Sequence, residues 1–205
     1  MATTTRENKK SLDARFMQRP AQSRPFPVSD EQYLKMGELG FFEGRRVELV
    51  KGIVIEMAAM NHSHWIATAK TTRLLNQVFK EPYFVLSQLP LKIDQFSEPE
   101  PDVFVVQIES GNFDDLSKAN ALSMTQLVIE ISDTTLREDR TTKARLYAQA
   151  GIIEYWIVNV ADRQLEVRRN PTKKGYSSTQ TLKEADEVSP LSAPNANVKI
   201  ADLLP

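Results

Sequence analysis

The chain has 205 residues, 41% of them hydrophobic, and a formal net charge of −1 at pH 7, which suits one domain with a buried core, or one domain with a tail. It contains no cysteine, so disulfides and thiolate zinc or redox sites are excluded, and a reducing, cytoplasmic setting is expected. No apolar run is long enough to cross a bilayer and no secretory leader is expected; a pI near 6.2 counts against a protein held on nucleic acid by bulk charge, though not against basic residues gathered on one local face.

Residues 1–27 read as a flexible basic tail. They carry Arg6, Lys9, Lys10, Arg15, Arg19 and Arg24 against Glu7 and Asp13, end in a proline-rich stretch, and show no apolar period. A solvated arm is the plain reading, and a basic arm that touches nucleic acid is the sharper one. Residues 28–205 are expected to form the domain. Ser29 and Gln32 have the spacing of a capping box, with Asp30 and Glu31 at the positive end of the helix dipole. Residues 46–57 read as a β-hairpin around Lys51-Gly52, and residues 64–79 as an amphipathic helix that ends before Pro82. Strands are expected at residues 83–86, 89–94 and 102–107, a polar loop at 111–123, and a strand at 127–132. After a loop at 133–138, a helix is expected over residues 140–150, capped by Asp139 and ended by Gly151. Residues 152–160 form a nearly continuous apolar run, as for a strand covered on both faces, and 164–169 and 175–182 read as later strands. The chain closes on a short apolar stretch, residues 198–204. A strand-helix-strand crossover over 127–160 predicts a right-handed unit with its two strands parallel. The expected fold class is α/β, a mixed sheet flanked by helices.

Strand alternation places Leu127, Ile129 and Ile131 on one face of their strand and Val128, Glu130 and Ser132 on the other. Glu130 is therefore a carboxylate inside an apolar strand, and its burial needs a compensating cation. Lys143 falls on the same helical stripe as Leu146, Tyr147 and Ala150 and so faces inward. Asp102 opens an apolar strand directly after Pro101, and Glu48 stands between Val47 and Leu49. Three carboxylates and an inward lysine make an oxygen-rich cage for Mg²⁺ or Mn²⁺, an ion able to activate water and neutralise phosphate charge. Each piece also has a plainer meaning. Pro-Asp is a common pair, Glu130 with Lys143 could be a structural ion pair, and Glu48 could face solvent. Tyr147 and Trp156 read as core packing rather than base-stacking groups.

Taken together, RRVELVKGIVIEM at 45–57, NHSHWI at 61–66, PEPDVFVV at 99–106 and LVIEISDTTLREDRTTKARLYAQAGIIEYWIV at 127–158 resemble the Uma2 family of restriction-endonuclease-like proteins, over roughly residues 29–205. The resemblance implies a PD-(D/E)XK fold and metal-dependent hydrolysis of phosphodiesters in DNA. Asp102 would match the acid of the Pro-Asp element, Glu130 the acid of the (D/E)XK element, Glu48 an additional early acid, and the Ile131 carbonyl a further metal ligand. Ser132 stands where the lysine of that element is normally found, and Lys143 is the expected substitute. His64 falls where such proteins tend to carry histidine; it could carry a proton, cap a helix or pack. A homodimer acting on two strands is an arrangement of related folds that the sequence itself does not display. Two further readings stay open: RNA as the substrate, and a non-catalytic module that binds nucleic acid or protein.

Overall fold

The computed structural model describes residues 25–118 and 121–205; the expected tail, apart from residues 25–27, lies outside the described residues. Helix α1, Asp30–Glu38, starts on the expected capping box: Ser29 Oγ accepts from the Gln32 amide and Gln32 Oε1 from the Ser29 amide. Strands β1 (Val47–Val50) and β2 (Ile53–Glu56) form the expected antiparallel hairpin. Both residues of its turn are left-handed, Lys51 at φ 51° and Gly52 at φ 75°, the twist that suits a two-residue hairpin loop. Helix α2, His62–Val78, is capped by Asn61, whose side chain accepts from the His64 amide.

The central sheet has six strands in the order β3 (Tyr83–Leu86), β4 (Val103–Gln107), β5 (Thr125–Ser132), β6 (Glu154–Asn159), β7 (Gln164–Thr172), β8 (Gly175–Lys183). The β5–β6 pair is parallel, as the crossover predicts, and every other pair is antiparallel. Two short helices, α3 (Asp114–Lys118) and α4 (Ala121–Met124), precede β5. Between β5 and β6 run α5 (Leu136–Glu138), a π-helical turn (Asp139–Lys143) and α6 (Ala144–Gln149). Two-residue strands β9 (Glu187–Val188) and β10 (Val198–Lys199) and a 3₁₀ turn, Ile200–Asp202, finish the chain.

The sheet is covered on both faces, so β6 is buried along its whole length. Leu127, Ile129, Ile131, Trp156 and Val158 pack with Ala67 and Leu75 of α2. Val128, Tyr155 and Ile157 pack with Phe104, Ala144 and Tyr147 on the other face. Glu130 shares this second face and points toward the helix that carries Lys143.

Three expectations are corrected. Residues 89–94 are not a strand; they run as irregular backbone tied by Leu91 N to Pro99 O (2.8 Å) and Ile93 N to Ser97 O (2.9 Å), because Pro90, Pro99 and Pro101 remove the donors a ladder needs. The loop at 111–123 contains α3 and α4. Helical geometry begins at Leu136 rather than Arg140, so Asp139 is not a cap but the first residue of the π turn.

The hairpin sits outside the main sheet and is pinned by backbone bonds: Glu98 N to Leu49 O (2.7 Å), Gly52 N to Phe96 O (2.7 Å) and Val28 N to Gly52 O (2.9 Å). A Cβ on Gly52 would lie 2.7 Å from Pro27 Cβ, at a φ that disfavours side chains. Gly52→Ala is therefore expected to lower stability by more than about 1 kcal/mol, read as a shifted midpoint in urea unfolding; an unchanged midpoint would show that the hairpin is not held this way.

Candidate active site

Glu130 and Asp102 come from neighbouring antiparallel strands. The pairing of Val103 with Ile129 sets Asp102 beside Glu130 where β4 begins, and the Ile131 amide donates to Asp102 Oδ2 at 2.8 Å. Glu130 is 3% exposed. Its Oε1 accepts from Lys143 Nζ (3.1 Å) and Tyr147 Oη (2.7 Å). The same ammonium lies 3.3 Å from Glu48 Oε2, which also accepts from the Glu100 amide at 3.2 Å. Lys143 thus bridges two carboxylates from elements far apart in the chain. Tyr147 is core, as expected, but its hydroxyl also reaches the site.

His64 and Asp139 complete the cluster. His64 Nε2 lies 3.2 Å from Asp102 Oδ2, and its Nδ1 faces Thr68 Oγ1 at 3.5 Å. The helix cap is Asn61, not His64. Asp139 Oδ2 accepts from Thr135 Oγ1 (2.7 Å) and, closely, from Ser132 Oγ. Ser132, at the position where the motif's lysine is normally found, therefore anchors the start of the helical stretch that supplies Lys143. Asp139 stands four residues before Lys143, on the same helical stripe, and that spacing is the signal that could have found it; as an expected cap it has no part in the site predicted from the sequence.

Glu48, His64, Asp102, Glu130, Asp139 and Lys143 line one cleft with about 100 Å³ of interior space, bounded also by Met60, Asn61 and Asp133. Burial pushes the Glu130 carboxyl well above the ordinary carboxylate value, against the pull of Lys143. Burial also disfavours the Lys143 ammonium, but Glu130 and Glu48 outweigh it and the net shift is upward, so the ammonium stays charged. Burial likewise raises Asp139. For His64, burial acts downward, and the hydrogen bond and charge of Asp102 more than reverse it.

The expected three-carboxylate cage is not formed as such. Among the described residues no three Asp, Glu or His side chains lie close enough to hold one ion, because the Lys143 ammonium stands between Glu48 and Glu130. The donor chemistry nevertheless fits a hard divalent ion. The described hydrogen bonds and ion pairs of Glu48, Asp102 and Glu130 fall on one oxygen of each, and all three residues line the cleft.

The family model described as "Uma2: Putative restriction endonuclease" matches residues 30–201. A solved structure from Anabaena variabilis ATCC 29413, described as "a putative nuclease belonging to DUF820", superposes with a TM-score of 0.65 at 16% identity, over 86% of this chain and 97% of that chain. At that identity the likeness bears on the fold, which is the restriction-endonuclease-like arrangement expected from the sequence. No curated protein matches the chain.

Two measurements probe the cluster. Lys143→Met strands two buried carboxylates and is expected to cost roughly 3–5 kcal/mol; adding Glu130→Gln should restore part of that loss, and full additivity in urea unfolding would refute the coupling. In metal-free protein, the His64 value lies above 6.5. Its pairing with Asp102 therefore contributes fully below pH 6.5 and fades as pH rises through the raised folded-state value. NMR titration of the His64 ring should show this elevation, and Asp102→Asn should remove it; a ring titrating at or below 6.5 in the unaltered protein contradicts the pairing.

Proposed function

The chain belongs to the Uma2 family, whose model spans residues 30–201, and from that premise we propose that it is a divalent-metal-dependent endonuclease that hydrolyses phosphodiester bonds of DNA. The observation that carries the reading is the convergence of Glu130, Glu48 and Lys143, with Asp102 fixed beside them, in one cleft. A structural ion pair alone leaves the cleft, the second acid on β4 and the Asp102–His64 pairing unexplained.

In this reading Asp102 and Glu130 would hold Mg²⁺ or Mn²⁺, with the Ile131 carbonyl and Glu48, directly or through water. The ion supplies an activated water and neutralises phosphate charge. Tyr147 fixes the rotamer of Glu130 by donating to Oε1. The Lys143 ammonium touches both Glu48 and Glu130. It would orient the attacking water or stabilise charge on the phosphorane. His64, next to Asp102, holds a proton at Nε2 when charged and would hand it to the leaving oxygen. No helix among the described residues is long and apolar enough to cross a membrane, and we place the reaction in the reducing cytoplasm.

The test incubates the protein with plasmid DNA, duplex oligonucleotides and RNA in Mg²⁺ or Mn²⁺, beside Glu130→Ala and Lys143→Ala. Cleavage should need the metal, favour DNA, and fall at least about 100-fold in each variant, the scale of a lost transition-state stabiliser. Cleavage that survives both substitutions rules this site out. Nucleic acid bound but uncut in either metal would establish the non-catalytic reading instead.

A further inference from the structure

The charge of the chain is nearly balanced, yet its basic residues are not evenly spread. On the flank of the helical stretch opposite the cleft lies a groove of about 510 Å³, lined by Lys51, Arg140, Arg145, Arg168 and Lys174. No carboxylate lines it among the described residues. Lys51, Arg145 and Lys174 are exposed and in no ion pair among the described residues. Arg140 and Arg168 are held from beneath by one buried acid, Glu166, at 2.5 Å and 2.8 Å. Arg168 Nη1 also donates to the Arg140 carbonyl at 3.1 Å. Glu166 thus fixes two guanidinium planes while neutralising only one of five positive charges.

Crowding like charges along a concave surface is unfavourable unless an anion occupies it, and such a surface raises the local concentration of polyanions. The cations come from the β1–β2 turn, the π turn and α6, and the β7–β8 hairpin, so separate elements contribute positive charge to one groove. Five cations along a groove of that size suit several phosphates better than a single one. The groove also shares its supports with the cleft. Arg140 lies three residues before Lys143, and Lys51 sits at the tip of the hairpin that carries Glu48. The two sites stand on either side of one helix, about 10 Å across.

We propose that this groove is the phosphate-backbone track of the protein, binding a nucleic-acid strand through Lys51, Arg145 and Lys174 with Arg140 and Arg168 as prearranged anchors, and leading that strand past the cleft. The inference rests on the nuclease reading for its ligand and is tested separately from it.

Full-length protein and the triple variant Lys51→Gln/Arg145→Gln/Lys174→Gln are compared by fluorescence anisotropy on a labelled duplex and its RNA counterpart, in EDTA, across a salt series. Inorganic phosphate and phosphatidylserine vesicles serve as further probes. The three side chains are exposed, and circular dichroism checks that the fold is kept; Lys174→Gln alone is the fallback. Binding should weaken roughly tenfold or more, and the slope of log K against log salt should shrink by about 0.9 for each phosphate no longer neutralised. Unchanged affinity and slope overturn the proposal, even if the unaltered protein cleaves. A variant that fails to bind while the unaltered protein binds but never cleaves upholds the track and rejects the nuclease. An unaltered protein that binds neither nucleic acid, or prefers vesicles or phosphate, overturns the track.

Discussion

Glu130 lies on the middle strands of the sheet, 3% exposed, with Ile129 and Ile131 on either side. An ionised carboxylate there would lose several kcal/mol of hydration, and the surrounding structure is arranged around that deficit. Lys143 supplies the charge and Tyr147 a second donor. Glu48 then shares the ammonium, which ties the outlying hairpin to the central sheet. Remove the buried acid, and the inward lysine and the tyrosine hydroxyl lose their common partner, leaving Glu48 alone on the ammonium.

The other buried acids are satisfied in ways that distinguish them from this one. Glu154 is fully buried, but it accepts from Trp156 Nε1, the Arg169 guanidinium and the Leu191 amide, and its bonds knit the sheet to the C-terminal segment. Glu166 is clamped by two arginines. Among the described residues, the arginines that pair with them form no other ion pair. Around Lys143 the balance differs, with Glu48, Glu130 and Asp139 all drawing on one ammonium. A cluster short of positive charge, open to a cleft, is the electrostatic condition in which a further cation is stabilised.

Much of this was legible in the sequence because strands and helices sort side chains by simple periods. The period of two put Glu130 opposite Ile129 and Ile131, and the helical stripe through Leu146 and Tyr147 carried Lys143 inward. What the periods could not reveal lies where they break. No spacing predicts the π turn at Asp139–Lys143 or the bond from Ser132 that holds its first residue. The pairing of His64 with Asp102 joins a helix start to the residue just before a strand, and neither position has a repeat to extrapolate. Residues 89–94 alternate like a strand, but Pro90 within them and Pro99 opposite lack the donors that a continuous ladder needs. The basic groove was illegible for a different reason: its five cations are scattered from residue 51 to residue 174, and overall charge averages them away.

The placement of the lysine has a structural consequence of its own. A lysine at position 132 would share a strand face with Glu130 at a spacing the pleat fixes. Moving the ammonium to a helix frees that spacing, so the helix itself must be registered against β5. Ser132 does this: its hydroxyl binds Asp139, one helical turn before Lys143, and Thr135 reinforces the same oxygen. Tyr155 donates to the Asp139 carbonyl from β6 at 3.1 Å, fixing the turn from the parallel neighbour as well. Asp139 and Lys143, four residues apart, line the cleft, while Arg140 pairs with Glu166 outside it. Ser132 is therefore part of the device that keeps the Lys143 ammonium within reach of Glu130.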